Sequence, residues 1–108
     1  MVIGNRKAET ISHSLLKYLI AHLLEKENHK VEIEADFGDY IADVFDLNSN
    51  LAYEIQTVKN EKIDKEKLEK ALLHAEINDV IFIYVKDYLP ESLLNNLTYI
   101  RLRKKIIG

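Results

Sequence analysis

The run VIFIYV, residues 80–85, constrains the fold of this chain more than any other stretch. It is continuously apolar and rich in β-branched and aromatic residues, a pattern typical of a strand that is buried on both faces. Such a strand is expected in a sheet that carries packed helices. The 108 residues suit one compact domain, so we expect a single domain over residues 1–108.

The spacing of the other apolar residues predicts the elements around this strand. Positions three and four residues apart indicate helices, and alternating positions indicate half-exposed strands. The predicted elements are a helix over about 5–28, strands over 31–37, 40–47 and 51–58, a helix capped by Asp64, the strand 80–85, a short helix over 90–97 and a final strand over 99–107. The predicted fold class is α/β, an α+β arrangement with a mixed sheet and the core order α-β-β-β-α-β.

The composition excludes several classes of protein. The chain has no cysteine, which excludes disulfides and thiolate metal sites. It has no glycine-rich phosphate loop, so we expect no nucleotide cofactor. Arg6 and Lys7 interrupt the first apolar residues, and no apolar run reaches the roughly 18 residues that a membrane helix needs. We therefore expect a soluble, cytoplasmic protein with no membrane partner.

The charge is unevenly distributed along the chain. The net charge of -3 does not by itself indicate a nucleic-acid-binding protein, but no acidic residue follows Glu91. The segment after Glu91 carries four basic side chains, Arg101, Arg103, Lys104 and Lys105. They either contact nucleic-acid phosphates or protect an exposed edge strand from pairing, and the sequence leaves both alternatives open.

Two carboxylates lie within the strands of the predicted hairpin, Asp43 in IADVFDL and Glu54 in YEIQTVK. If a two-residue turn pairs Leu47 with Asn50, Asp43 is opposite Glu54 and both carboxylates share one face of the sheet. A three-residue loop instead puts Asp43 opposite Ile55 and the two acids on opposite faces. A simpler alternative is that both acids face solvent.

A converging pair of carboxylates in a partly buried place points to a particular chemistry. The like charges repel, and either a proton or a hard divalent cation relieves that repulsion. Mg²⁺ favours carboxylate oxygens, keeps several waters and commonly binds substrate phosphate as well. A cation bound in this way polarises a phosphate and lowers the pKa of an attacking water. The pair therefore predicts a phosphodiester-cleaving centre that uses Mg²⁺ or Mn²⁺.

These residues and the order of elements resemble the PD-(D/E)XK nuclease superfamily, which includes archaeal Holliday-junction resolvases and type II restriction enzymes. Members share a restriction-endonuclease-like α-β-β-β-α-β core, with an Asp on the second strand, Glu-x-Lys on the third and often a Glu on the first helix. The resemblance implies that Asp43, Glu54 and the backbone carbonyl of Ile55 bind the metal. It adds Glu9, in RKAETISHSL, as a further ligand. A simpler interpretation of Glu9 is a first-turn acid that stabilises the helix dipole.

The chain departs from the pattern of that family at two positions. Ala42 stands where the motif has proline, and Gln56 stands where it has lysine. In the family the lysine is thought to steady the attacking hydroxide or the phosphate, whereas a glutamine orients water but brings no charge. We therefore expect Gln56 at the catalytic centre and consider Lys59, Lys7 and Arg6 as sources of the missing charge.

Several other polar residues have simpler interpretations. His13 shares a helix face with Glu9 and is interpreted as a polar neighbour or a DNA contact. Asp46 is expected to face away from Asp43 as a surface charge. The mixed-charge run KNEKIDKEKLEK is interpreted as a solvated helix face. Three histidines show no ligand spacing and are interpreted as structural or exposed, so no zinc site is predicted: His22, His29 and His74.

Two functions of different classes follow from these observations. The first is a Mg-dependent DNA endonuclease, which the family resemblance implies is a homodimer, with branched DNA favoured because the chain has no insert for recognising a sequence. Its predicted nucleic-acid contacts are Arg6, Lys7, His13, Lys59 and the four basic residues of the C-terminal segment. The second, motivated by Gln56, is a catalytically decayed module that binds nucleic acid or a larger nuclease or helicase partner.

Overall fold

The computed structural model of the chain describes residues 10–88 and 96–108, except for the side chains of residues 96–99. Its elements follow the predicted order from the first helix to the fourth strand, which confirms the mixed α/β class. They are α1 (Ile11–Lys26), β1 (Val31–Asp36), β2 (Ile41–Asp46), β3 (Leu51–Gln56), α2 (Glu61–Leu72), β4 (Asp79–Tyr84), α3 (Val85–Tyr88) and α4 (Asn96–Ile106).

The four strands form one mixed sheet in the order β1-β2-β3-β4. Strand β2 pairs antiparallel with both β1 and β3. Strand β4 lies parallel to β3, with Leu51 beside Asp79 and Gln56 beside Tyr84. A parallel pair needs a long crossover connection, and α2 supplies it. The strand predicted from VIFIYV therefore lies at an edge of the sheet that the described residues form, with Val80 and Ile83 buried and its other residues partly or fully exposed.

Two apolar cores lie on opposite faces of the sheet. On one face, α1 and α4 pack on residues of β2, β3 and β4, including Val44, Tyr53, Ile55 and Ile83. On the other face, Ala71 of α2 packs in a second core with the strand residues Ala42, Phe45, Ala52 and Val80. The sheet is thus the middle of three layers, and residues on β3 are buried on both faces.

The prediction of a final strand over residues 99–107 is wrong, because this segment lies in helix α4. Leu102 is fully buried in the core beside α1, and Ile106, four residues later, packs on the same core. In a strand, Ile100 would share a face with Leu102, yet Ile100 is 59% exposed, which fits a helix and not a strand. Burial against α1 therefore selects the helix over the local alternation of apolar and basic residues.

The boundaries of the other helices differ from the predicted ones. Thr10 caps α1, and residues 1–9 lie outside the described part of the chain. Asn60 caps α2 in place of Asp64, which lies in the first turn and is buried. Most of the predicted helix over 90–97 also falls outside the described residues. Across the described ranges, no helix has both the length and the apolar character needed to cross a bilayer.

The assignment of the C-terminal segment to a helix makes a testable prediction. In a strand, residues 100 and 102 would share one face, whereas in α4 Ile100 is 59% exposed and Leu102 is 0% exposed. Leu102→Ala should lower the free energy of unfolding by about 2–5 kcal/mol, because it leaves a cavity beside α1. Ile100→Ala, as the matched control, should change it by less than about 0.5 kcal/mol. Equal losses in urea unfolding would contradict the helix.

Candidate active site

The hairpin of β2 and β3 has the register expected for pairing of Leu47 with Asn50. Val44 is opposite Tyr53, Phe45 is opposite Ala52, and Asp46 is opposite Leu51. Pairing stops at Val44, so the backbone of Asp43 does not join the ladder. Instead, Oδ2 of Asp43 accepts a hydrogen bond of 2.7 Å from the backbone N–H of Ile55. A side-chain carboxylate thus occupies the position of a backbone partner, and the sheet opens at this point.

The neighbouring strand is irregular at the same level. Glu34 lies across from Asp43 between the pairs Ile33–Val44 and Ala35–Ala42, and these two residues do not themselves pair. Glu34 has a positive φ of 54°, a left-handed conformation that is unfavourable for a residue with a Cβ. Such strain is concentrated at functional sites, where the surrounding structure holds it in place.

The residues beside this irregularity leave the regular alternation of the sheet. Ala42 packs in the core under α2, whereas Val44, two residues later, packs in the core under α1. In a regular strand both would face the same side. The alternation of side chains between the two faces of β2 is therefore interrupted at Asp43. The Asp43 carboxylate consequently lies between the strands and not on one face of the sheet.

Asp43 is buried, with 1% of its surface exposed, which rules out the alternative that it faces solvent. Its Oδ1 lies 3.4 Å from Nε2 of His13, in the first turn of α1. One helical turn later, Nζ of Lys17 donates a 2.6 Å hydrogen bond to Oε2 of Glu34. Helix α1 therefore presents a histidine and a buried lysine to the two irregular strand positions. His13, which the sequence suggests is a polar neighbour or a DNA contact, thus lies beside Asp43.

Glu54 is equally buried, at 2% exposure, and is approached from the other side of the sheet. The hydroxyl of Tyr40 donates a 2.7 Å hydrogen bond to Oε2, and Nζ of Lys67 on α2 lies 3.5 Å from Oε1. Burial, and then the charge of Asp43, raise the pKa of Glu54 from 4.5 to about 7 against the opposing effects of Lys67 and Tyr40. The two acids therefore interact, and their repulsion favours a bound proton or cation.

Gln56 is positioned by a polar network that extends into α2. Its side-chain amide donates a 2.9 Å hydrogen bond to Oδ1 of Asp64, and its oxygen accepts a 3.2 Å hydrogen bond from Nζ of Lys67. The hydroxyl of Tyr84 donates a 2.6 Å hydrogen bond to the second oxygen of Asp64. Burial alone would raise the pKa of Asp64, but hydrogen bonds from Tyr84 and Gln56 outweigh it, so that pKa lies below 3.8.

Lys67 is the residue that the sequence prediction missed. It lies in the run KNEKIDKEKLEK, which was interpreted as a solvated helix face, yet Asp64, Lys67 and Ala71 follow one another at three- and four-residue spacing. Because Ala71 is an apolar residue on the same helix face, this spacing is the signal in the sequence that points Lys67 towards the sheet. Of the predicted cations, Lys59 is exposed in the connection after β3, and Arg6 and Lys7 lie outside the described residues.

The described residues supply part of the predicted metal-ligand set. Asp43, Glu54 and the carbonyl of Ile55 are close in the fold, whereas Glu9 lies outside the described residues. Among residues 10–88 and 96–108, no group of three His, Asp or Glu side chains is placed to hold a metal ion. Mg²⁺ commonly binds through one or two carboxylates and fills its other positions with water and substrate. Two neighbouring buried acids, of which Glu54 has a raised pKa, suit that kind of ion.

Asp46 corrects another prediction, because it is buried and not a surface charge. Its Oδ2 lies 2.6 Å from Nδ1 of His29, and its Oδ1 accepts a 2.9 Å hydrogen bond from the backbone N–H of Asn48. Burial would raise its pKa, but these hydrogen bonds outweigh burial and hold the pKa below 3.8. Asp46 therefore stabilises the turn between β2 and β3.

The other two histidines match their interpretation as structural or exposed residues. Nε2 of His74 lies 2.7 Å from Oδ1 of Asp39, and His22 is exposed on α1.

The basic residues of the C-terminal segment lie on the exposed side of α4. The guanidinium of Arg101 lies 5.3 Å from the centre of the Tyr88 ring, and Arg103 is 4.0 Å from the carboxylate of Glu27. Glu27 follows the last turn of α1, about 20 Å along the helix from His13 at a rise of about 1.5 Å per residue. Arg103 therefore lies at the far end of α1 from the acid pair.

Comparisons of the chain with known protein families, with curated proteins and with solved structures found no match. The likeness to the PD-(D/E)XK superfamily accordingly remains a proposal that depends on the residues and on the order of elements.

The raised pKa of Glu54 predicts a pH dependence of stability in metal-free protein. The unfolded chain ionises this carboxyl near pH 4.5 and the folded chain near pH 7, so the stabilisation is complete below pH 4.5 and is lost as the pH rises through 7. Between pH 5 and pH 8, wild type should lose on the order of 2 kcal/mol more unfolding free energy than Glu54→Gln. Urea unfolding with a chelator present measures the difference. Parallel pH profiles for the two proteins would contradict the shift.

Proposed function

We propose that this chain is a metal-dependent DNA endonuclease whose centre is formed by Asp43 and Glu54. The observation that carries the proposal is the burial of two interacting carboxylates at the point where the β2–β3 ladder opens. Buried acids of this kind are costly unless they are paired, and strongly perturbed carboxyls mark functional sites more often than structural ones. The family resemblance adds the reaction class, phosphodiester hydrolysis, and DNA as the substrate.

The donor set suits a hard divalent cation such as Mg²⁺ or Mn²⁺. Asp43, Glu54 and the carbonyl of Ile55 would hold it, with Glu9 as a further ligand. When bound, the cation supplies polarisation of the phosphate and a water of lowered pKa. Hydrolysis would join the oxygen of a water to phosphorus and break the bond from phosphorus to one ester oxygen, which would leave as a hydroxyl after taking a proton.

The residues around the acids have separate tasks in this proposal. The Ile55 N–H fixes one oxygen of Asp43, and the Tyr40 hydroxyl fixes one oxygen of Glu54, so each carboxylate is oriented before substrate arrives. His13 lies beside Asp43 with its side chain partly exposed, a position from which it can contact a phosphate of bound DNA. Orientation by fixed backbone and hydroxyl donors lowers the cost of assembling the centre.

The substrate and the assembly belong to the same proposal. A domain of this size covers only part of a duplex, so cutting both strands requires two copies with one centre each. Branched DNA is the favoured substrate because the chain is short and has no insert for reading a sequence. The basic residues of α4 and Lys59 are exposed and remain candidates for phosphate contacts away from the centre. An intracellular location belongs to the same proposal.

One observation favours a second function, a decayed nuclease fold that binds nucleic acid without cutting it. Lys67 lies 3.5 Å from Glu54, and an ammonium there partly neutralises the carboxylate without any metal. Together with Gln56 in the position of the family lysine, this contact gives the acid pair a structural explanation. Binding of that kind would depend strongly on salt and would need no divalent cation.

Calorimetric titration of Mg²⁺ and Mn²⁺ tests the first function against the second. We expect wild type to bind the cation and to nick a four-way DNA junction or duplex. Asp43→Asn should lose cation binding by at least about tenfold and lose cleavage, because it removes a ligand charge without removing the side chain. No cation binding and intact DNA in wild type would overturn the nuclease and support the binding module.

Asp46→Asn is the matched control for this experiment. Asp46 lies on the same strand and is as buried as Asp43, but its partners are His29 and the turn. We expect this variant to unfold more easily and still to bind the cation like wild type. Loss of cation binding in both variants would show that general loss of structure, and not loss of a ligand, causes the effect.

A further inference from the structure

The ammonium of Lys67 occupies a defined place beside the acid pair. It lies 3.5 Å from Oε1 of Glu54 and 3.2 Å from the side-chain oxygen of Gln56. Both acceptors are on β3, two residues apart, and therefore face the same side of the sheet towards α2. The side chain of Lys67 is 40% exposed, whereas that of Glu54 is almost fully buried. Lys67 is thus a cation that touches the buried centre and remains accessible to a solute.

The orientation of the Gln56 amide is determined by its two partners. Oδ1 of Asp64 accepts from the amide nitrogen, so the amide oxygen must face Lys67. The reverse orientation would place the amide hydrogens against the ammonium and two acceptor oxygens against each other. Asp64 is itself held by the Tyr84 hydroxyl and by the backbone N–H of Asn60, at 2.6 and 3.4 Å. The chain of contacts therefore ends in fixed groups of β4 and of the α2 cap.

We propose that Lys67 is a catalytic residue of this centre, and that Gln56 is a positioning residue which aims its ammonium at the scissile phosphate. The inference depends on the proposed nuclease function and adds to it the source of a positive charge that the motif position lacks. Lys67 contacts a non-bridging oxygen of the phosphate, and Gln56, fixed by Asp64, holds the ammonium beside Glu54 while the substrate is absent.

The electrostatics of the centre give Lys67 this task. The side chains of Asp43, Glu54 and Asp64 supply acidic groups near the position of an anionic phosphate. When water attacks phosphorus, negative charge on the phosphoryl oxygens must be stabilised, and fixed cationic donors do this at little reorganisation cost. Lys67 is long enough and exposed enough for this contact. Gln56 has no charge, and its amide nitrogen already donates a hydrogen bond to Asp64.

The first test removes the ammonium of Lys67. Lys67→Ala should lower kcat on the DNA substrate that wild type nicks, on the order of 100-fold and with little change in KM. The reason is that the contact is made mainly in the transition state. Mg²⁺ affinity measured by calorimetry should stay the same or increase, since no ammonium competes for Glu54. Lys65→Ala removes an exposed lysine from the same helix and should leave kcat unchanged. Wild-type kcat in Lys67→Ala would overturn the inference.

The second test restores a lysine at the position that the family uses. Residue 56 faces the same side as Glu54, so Gln56→Lys in the Lys67→Ala background should return the ammonium to the centre and recover kcat by at least about tenfold. A merely structural role for Lys67 would not be rescued in this way. Folding of each variant is checked by thermal unfolding, and Lys67→Met, which keeps the aliphatic stem, replaces Lys67→Ala if that protein does not fold.

The outcomes separate this inference from the proposed function. If wild type cuts, Asp43→Asn does not, and Lys67→Ala cuts as well as wild type, the nuclease stands and the role of Lys67 is overturned. If Lys67→Ala is impaired and the double variant is not rescued, Lys67 is not a movable catalytic charge and the inference is also overturned. If wild type binds no cation and cuts no DNA, both proposals fail together.

Discussion

The hydrogen bond from the Ile55 N–H to the Asp43 carboxylate is the interaction on which the candidate site depends. A backbone donor in the middle of a buried sheet must be satisfied, and a neighbouring strand normally supplies a carbonyl. Here a side chain supplies the oxygen, so the ladder ends and the β2 backbone changes its facing. That change admits His13 of α1 on one side, while β3 continues regularly and carries Glu54 and Gln56 towards α2 on the other. Because the Asp43 carboxylate takes the place of a backbone carbonyl as the acceptor, both α1 and α2 contact one centre.

Burial of an acid does not by itself identify that centre, as the comparison of Asp43 with Asp46 shows. Both lie on β2 and both are 1% exposed. Asp46 is surrounded by donors, His29 and the turn backbone, which hold its pKa below the ordinary value. Asp43 instead lies beside a second buried acid, and its charge adds to the larger effect of burial in raising the pKa of Glu54. The distinguishing feature is therefore the proximity of two buried acids, whose repulsion a cation can relieve, and not the burial of a single carboxylate.

Much of the fold could be predicted because it depends on local patterns. The apolar positions of α1, the alternation in β1 and the continuous run of β4 each indicate an element, and the order of elements then favours a mixed sheet. The segment 99–107 failed because its short alternation is compatible with a strand, while its real environment is the side of α1. Leu102 is buried while Ile100 stays exposed, which a helix allows and a strand does not, and this choice depends on packing against a helix about 80 residues earlier in the chain.

The sequence by itself determined the residue types of the site, two acids at matched positions of a hairpin and a glutamine two residues after the second acid. Their chemistry and the absence of a charge at residue 56 follow from the sequence, whereas the structure decided between the two registers that the sequence left open for the hairpin. Only the tertiary structure decided that the Asp43 side chain replaces a ladder partner, that Asp46 closes the turn, and that the nearby cation comes from Lys67. The physical reason is that these contacts join different elements of the fold. Lys67 lies in a highly charged helix, α2, and contacts Glu54 and Gln56 only because the crossover from β3 to β4 packs α2 against the sheet.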